Sequence, residues 1–426
     1  MVRPNLAKGL CVLCKGSRNL CGKDACPIIM KQQALIPMKK IDFTSADLFG
    51  SSPPAFFVGR YNYPNVLVGP MIPPMVGKGE EIQILDRPDL WYGKQIEELV
   101  SYRTKLVRSA FRVNVKRFQD SRSLELSQEL AMAEHTVDTE VKFEKEPKFK
   151  IIFDSHSQPM GPIGHIEKLR LAENPKINLF IDKTVQDTDF KANSAVGYLY
   201  SQGLPLSNII RVLSAGLLGV KKNRRLVPTR WAITASDDII SKNIINRLKD
   251  FPEIDKYQVF SSKYLDNNFY ILLLPKEWGF EQLETWSGKS SFNPHKDPVI
   301  VADSEFYKGR KTYASRVTGA YYAARLAVAE YLLRCRKQAT AVVFREVSSG
   351  YIVPLGVWVI RETVRDAFKK PSEIFETLKQ ALKYIGRNFH TPLRSWMKKS
   401  EILDNVIKQR TLLDYIKLKT KSIKPK

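Results

Sequence analysis

Apolar residues in the first hundred positions come in short runs broken by turn formers. The stretch SSPPAFFVGRYNYPNVLVGPMIPP (51–74) is of this kind, and it predicts short strands, Phe56–Val58 and Val66–Val68 among them. From Trp91 to about Phe111 the period lengthens. Ile96, Leu99, Leu106, Val107 and Ala110 recur at helical spacing, with Arg103 on the same stripe, an odd place for a charge. Residues 122–134 predict a second helix, whereas 140–154 (EVKFEKEPKFKIIFD) alternate like a strand. Further strands are predicted at Arg230–Thr234, Tyr270–Leu274, Ala341–Phe344 and Ile352–Val359. Residues 319–336 (GAYYAARLAVAEYLLRCR) predict a helix whose alanines permit close packing, and another helix is expected from Pro371. The mixture indicates an α+β fold, with mixed α/β as the alternative. It lacks the regular alternation of a Rossmann fold or a β/α barrel. The expected organisation is a small cysteine module (1–35), a mixed helix and strand body (36–400) with a subdivision possible near 150, and a basic tail (401–426).

Composition changes the picture mainly through charge. The 426 residues are 43% hydrophobic, ample for a large core, but 68 Lys and Arg face 44 acids, a formal net charge of +24. Such an excess attracts polyanions, nucleic acid first and an anionic membrane surface second. No run approaches the roughly 18 apolar residues that span a bilayer, and the start lacks the apolar stretch of a signal peptide. A reducing cytoplasmic compartment is expected, because four of the five cysteines crowd into residues 11–26, unlike a disulfide framework.

Those four, Cys11, Cys14, Cys21 and Cys26, have the spacing C-x2-C-x6-C-x4-C. Four thiolates suit zinc or an iron–sulfur cluster. Structural zinc is the favoured reading because no redox partner motif follows, although Cys26-Pro27 echoes some ferredoxins. A closed four-thiolate site leaves no position for catalysis, so the module's part is to present Lys15, Arg18 and Lys23. Cys335, within a helical pattern, reads as a buried small side chain.

Positive charge concentrates in three places. Arg108, Arg112 and Lys116 would line one face if the helix continued that far. Lys221, Lys222, Arg224 and Arg225 precede Val227-Pro-Thr-Arg230-Trp231, and the last ten residues, KLKTKSIKPK, carry five lysines. No base-reading motif accompanies them, so backbone-directed, salt-dependent binding is expected. Candidate acids are Asp237 and Asp238 at the end of the strand-like ITASDD, Asp182, Asp187 and Asp189, Asp303 with Glu305, and Glu346 beside Arg345. Two or three converging would hold a divalent metal for phosphodiester cleavage, although acids at strand ends also serve as caps and turn formers. No H-x-x-x-H, P-loop, G-x-S-x-G or G-x-G-x-x-G pattern occurs. Gly216-x-x-Gly219 before Lys221-Lys222 is only a weak phosphate loop, and His165 after GPIG is expected on a loop.

Near the end stands Gln409-Arg-Thr-Leu412-Leu-Asp-Tyr415-Ile416. Gln with an aliphatic at +3 and an aromatic at +6 resembles the peptide that docks on DNA sliding clamps, since a single turn places both apolar groups on one face. Ile416 departs from the strongest form, which has a second aromatic there. The same segment also reads as a short amphipathic helix packed on the body.

At full length the chain resembles the Nre family of archaeal DNA repair proteins. The resemblance rests on CGKDACP in the cysteine module, residues 51–70, RRLVPTRWAITASDD (224–238), GAYYAARLAVAE (319–330) and PLGVW (354–358). It implies an archaeal source, a role in tolerating DNA damage, and partnership with the PCNA sliding clamp through Gln409, Leu412 and Tyr415. It supplies no reaction. Arg60, Tyr61, Arg230, Trp231 and Arg325, all within these blocks, are candidates for a shared cationic, aromatic site. The functional expectation is a repair factor that binds DNA. The alternatives are a metal-dependent enzyme acting on DNA or a nucleotide, and an RNA-associated basic protein.

Overall fold

The computed structural model describes residues 11–18, 20–21, 25–39, 41, 46–116, 121–149, 157–288, 293 and 297–408. After helix α1 (Pro27–Lys39), alternating apolar runs form strands β1 (Asp47–Ser52), β2 (Ala55–Val58) and β3 (Asn65–Ile72). Helix α2 (Ile96–Thr104) and β4 (Val107–Asn114) follow, then α3 (Arg122–Met132), β5 (Val137–Phe143) and β6 (Ile163–Leu171). The six strands pair in the order β1-β5-β6-β4-β3-β2, with β4 and β6 parallel and every other pair antiparallel. Gly69 lets β3 cross β4 closely. Its φ is +154°, and a Cβ there would lie 1.8 Å from the Ser109 carbonyl oxygen.

A helical layer comes next: α4 (Leu179–Gln186), α5 (Ala192–Ser201), α6 (Leu206–Ser214) and the long α7 (Thr229–Leu248). The second sheet is built from β7 (Tyr257–Tyr264), β8 (Asn267–Leu274), β9 (Gly279–Trp286) and β10 (Val299–Glu305). After α8 (Gly319–Cys335) it is completed by β11 (Thr340–Val347) and, beyond α9 (Trp358–Ala367), by β12 (Glu373–Phe375). Its order is β10-β9-β11-β8-β7-β12, and only β9 and β11 are parallel. Helices α10 (Leu378–Arg387), α11 (Leu393–Met397) and α12 (Glu401–Lys408) close the described chain.

Strand β11 is buried at every position because both faces are covered. Ala341, Val343 and Val347 point into the main core, with α5 to α9. Val342 and Phe344 point the other way, onto Leu382, Trp396, Ile402 and Leu403 of the last helices. The chain is thus a mixed α/β protein with two six-stranded mixed sheets. Among the described residues no helix is long and apolar enough to cross a membrane.

Several sequence expectations hold, including the strands over 56–58, 66–68, 270–274 and 341–344 and the helices over 122–134 and 319–336. Others need correction. The helix expected to reach Phe111 ends at Thr104, because Val107, Ser109 and Val113 satisfy a period of two as well as Leu106, Val107 and Ala110 satisfy a helix. Arg108, Arg112 and Lys116 therefore sit on or just after a strand, not on a helix. Arg103 is explained: its guanidinium lies 4.7 Å from the Trp91 ring centre and 3.1 Å from Asp86.

Arg230–Thr234 is not a strand but the first turns of α7, launched from Pro228. Ile352–Val359 is a loop that enters α9, and the helix expected from Pro371 starts at Leu378, after Thr377 and Gln380 form a capping box. The strand read over 140–154 stops at Phe143, with 150–154 outside the described residues. His165 lies within β6, and Cys335 is exposed at the last turn of α8.

Candidate nucleic-acid interface

Three helices set the frame. A Cβ on Gly319 would lie 3.2 Å from both Thr234 of α7 and Val357 at the head of α9. Further along, Arg325 reaches Asp238 and Ser241, Arg361 reaches Asp237, and Arg365 reaches Glu330. These matched steps mean that α7, α8 and α9 run in the same direction, with their amino ends on one side of the molecule. The small buried residues Ala320, Ala323, Ala324 and Ala327 let them approach closely.

The acids singled out as catalytic candidates are the connectors of this frame. Both Asp237 oxygens lie 2.7 Å from the Arg361 guanidinium in a fully buried pair. Burial pushes its carboxyl up to about 6, and the Arg361 and Arg365 charges pull the other way. Asp238 is bound by Arg325 and by Lys242 at 2.7 Å. Neither aspartate ends a strand, because ITASDD lies inside α7. Glu305 accepts from Arg325 at 2.8 Å and from the Trp278 indole at 3.1 Å. Asp303 accepts the backbone N–H groups of Arg316 and Val317, at 2.8 and 2.7 Å. Glu346 accepts those of His390 and Thr391, Asp187 those of Asp189 and Phe190, and Asp182 accepts from Gln186. Among the described residues no three His, Cys, Asp or Glu side chains gather to hold a metal ion. Arg325, expected at a ligand-binding surface, is 1% exposed and belongs to the frame.

The surface built on that frame is different in kind. The β2–β3 loop, residues 59–64, contains a cis Tyr63–Pro64 peptide and is held against the start of α7. Val58 donates its N–H to Thr229 Oγ1 at 2.9 Å, and Val115 donates to the Pro64 carbonyl at 2.9 Å. Leu226 in turn donates to the Val115 carbonyl. The Tyr63 and Trp231 rings lie 5.3 Å apart, and the Arg60 guanidinium is 5.3 Å from the Tyr61 ring. Tyr61 is 78% exposed, Trp231 46% and Tyr63 45%.

Tyr313, 53% exposed, stacks at 5.4 Å on Tyr322 and extends the patch. Burial raises the Tyr313 hydroxyl, and the nearby Arg230 charge draws it back down. Arg60 and Arg230 are exposed beside these rings, and Arg225 is exposed next to Leu226, whose bond to Val115 leads to Pro64. The structure therefore brings together Arg60, Tyr61, Arg230 and Trp231, with Arg225 on the adjoining segment that Leu226 ties to Val115. Tyr63 and Tyr313 are additions that the sequence does not single out. For Tyr63 the only signal is its place between Tyr61 and Pro64 in a turn-rich block, and for Tyr313 its place in the cationic stretch 308–316.

The other cations divide. Arg112, Lys116, Lys221 and Lys222 are exposed, whereas Arg108 is partly buried. Arg224 is a structural tie, donating to the carbonyls of Gly219 and Val185 at 2.8 Å and Asp187 at 3.0 Å. The Gly216–Gly219 turn is no phosphate loop. The N–H groups of Gly216 and Leu217 cap the end of α6 through Leu213 and Val212, and the Gly219 carbonyl faces Arg224.

At the amino end, Cys11 and Cys14 lie on one helical turn, with Lys15 N–H bonded to the Cys11 carbonyl at 2.8 Å. Lys15 and Gly16 then reverse the chain with φ of +50° and +83°. A Cβ on Gly16 would sit 3.8 Å from Cys26 Sγ, so the turn after the second cysteine packs beside the fourth. Thiolates of this set suit zinc chemically. Gln409, Leu412, Tyr415 and Ile416 lie outside the described residues, which end with α12.

A family model described as "Archaeal Nre, N-terminal" matches residues 20–293, and one described as "Archaeal Nre, C-terminal" matches residues 305–415. The chain is 38% identical over 406 residues to DNA repair protein NreB of Archaeoglobus fulgidus, covering 95% of this chain and all of the relative. It is 39% identical to DNA repair protein NreA of the same organism, over 88% of this chain and 93% of that one. With DNA repair protein NreA of Haloferax volcanii the identity is 35%, over 83% and 86% of the two chains. No solved structure matches. Two family models that together span most of the chain, and relatives aligned nearly end to end, show that it belongs to the archaeal Nre family of DNA repair proteins.

Proposed function

We propose that this chain serves repair by binding DNA directly through the face around Arg60, Arg225, Arg230 and Trp231, and that the PCNA sliding clamp recruits it through Gln409, Leu412 and Tyr415. The observation that carries the reading is the clustering of exposed arginines and aromatic rings on one fixed loop-and-helix surface, in a chain of net charge +24. The metal-dependent nuclease reading has no comparable support, since its candidate acids are occupied in ion pairs, turns and helix ends.

Titration of labelled DNA by fluorescence anisotropy tests the face. Arg60→Ala/Arg225→Ala/Arg230→Ala is expected to weaken binding by about ten-fold or more. The slope of log Kd against log salt should shrink by about 0.7–0.9 for each phosphate that is no longer neutralised. An unchanged Kd and slope would move the DNA surface elsewhere.

Recruitment is measured by isothermal titration against the host's clamp. The intact chain is expected to bind with a Kd on the order of micromolar, and Gln409→Ala/Leu412→Ala/Tyr415→Ala to lose that binding. Absence of binding by the intact chain would reduce the tail to a basic extension. The four amino-terminal thiolates are proposed to hold one structural zinc ion. The C-x2-C-x6-C-x4-C spacing and the packing of Gly16 beside Cys26 support this, and elemental analysis of the purified chain measures it.

A further inference from the structure

We propose that the exposed rings of Tyr61, Tyr63, Trp231 and Tyr313 form a stacking platform for unpaired bases, so that the preferred ligand of this face is single-stranded DNA. This rests on the reading that the face binds DNA, and it names the form of DNA bound.

Exposed aromatic rings gain little from a duplex, whose base faces are already stacked on one another. An unpaired strand offers those faces, and every base has one. The four rings are between 45% and 78% exposed, although Trp and Tyr rings of this size ordinarily lend much of their area to a core or an interface. Tyr63 and Trp231 are tilted by 49°, and Tyr61 carries Arg60 over its face, so the rings project as separate steps and not as one closed stack.

The platform is also fixed in place. The bonds from Val58 to Thr229, Val115 to Pro64 and Leu226 to Val115 tie the aromatic loop to β4 and to the start of α7, so little order has to be created on binding. The cations interleaved with the rings are Arg60 and Arg230, which can neutralise a backbone phosphate or stack on a base. A protein partner with an apolar segment would use the rings but gain nothing from those arginines. Charge complementarity therefore favours the strand of phosphates.

The test uses the full chain and three fluorescein-labelled probes at one salt concentration: an oligothymidylate of about 20 nucleotides, a mixed-sequence duplex of the same length, and an oligouridylate. The oligothymidylate is expected to bind about ten-fold tighter than the duplex. Trp231→Ala should weaken oligothymidylate binding by about ten-fold while moving duplex binding less than about two-fold, and Trp231→Phe should restore most of the loss. Quenching of tryptophan fluorescence by the oligothymidylate, lost in Trp231→Phe, reports stacking directly. Equal binding of both DNA forms, with Trp231→Ala affecting them alike, would overturn the platform and leave the DNA-binding reading standing. Binding to neither DNA would overturn both, and a clear preference for the oligouridylate would overturn the assignment to DNA.

Discussion

Replacing Arg325 with methionine is expected to lower the unfolding free energy by about 3–5 kcal/mol, read by urea denaturation, while leaving DNA affinity of the folded fraction unchanged. The guanidinium is buried among Glu305, Asp238 and the Ser241 hydroxyl, with the Tyr322 ring 5.2 Å away. Removing it leaves the Glu305 carboxylate, almost wholly out of solvent, without its cation. The cost comes chiefly from that uncompensated charge, not from the intrinsic strength of the pair. A second variant separates the two. Arg325→Met combined with Glu305→Gln and Asp238→Asn should recover much of the loss, since no ion is then stranded. A small loss of stability accompanied by a large loss of DNA binding would return Arg325 to the ligand surface.

Stability is also expected to fall as pH rises from about 4.5 to about 7, by up to about 3 kcal/mol from one residue. Glu281 of β9 is buried and accepts from the Ser400 hydroxyl and from the N–H groups of Glu401 at 2.7 Å and Ile402 at 3.4 Å. Burial lifts its carboxyl from the ordinary 4.5 to about 7, and the hydrogen bonds only partly counter this. The sign follows from proton counting. Between the two values the native state keeps a proton that the unfolded chain has released, so raising the pH favours unfolding. Asp237, raised to about 6, adds to the same trend from a lower starting point. Urea midpoints at about pH 5 and about pH 8 measure the effect, and Glu281→Gln should flatten the difference. An identical pH slope in wild type and variant would rule Glu281 out as its source.

What can be read from the residues alone follows from how local each signal is. The strands at 56–58 and 66–68 are bounded by Pro and Gly, and the alanine-rich helix at 319–335 has one unbroken period, so both are legible. Arg230–Thr234 reads as a strand because Trp, Ile and Thr favour strands, and the decisive cue for a helix, Pro228 just ahead of them, is a single residue. The candidate site is half legible. Arg60, Tyr61, Arg230 and Trp231 do meet, but nothing in the residue type tells Arg325, buried under the face, from Arg230, exposed on it. Burial is a tertiary property, and so is the occupation of Asp237 by Arg361, more than a hundred positions away.

The parallel pairing of β9 with β11 bears on how the gene can be cut. The boundary between the two family segments, 293 to 305, passes through one sheet, because β7, β8 and β9 lie before it and β11 and β12 after it. β11 runs between β9 and β8, hydrogen-bonded to both. An amino-terminal half made alone would carry a slot one strand wide in the middle of its sheet, flanked by the open backbone groups of β8 and β9. Neither segment completes this sheet by itself, so the two are expected to fold as one unit.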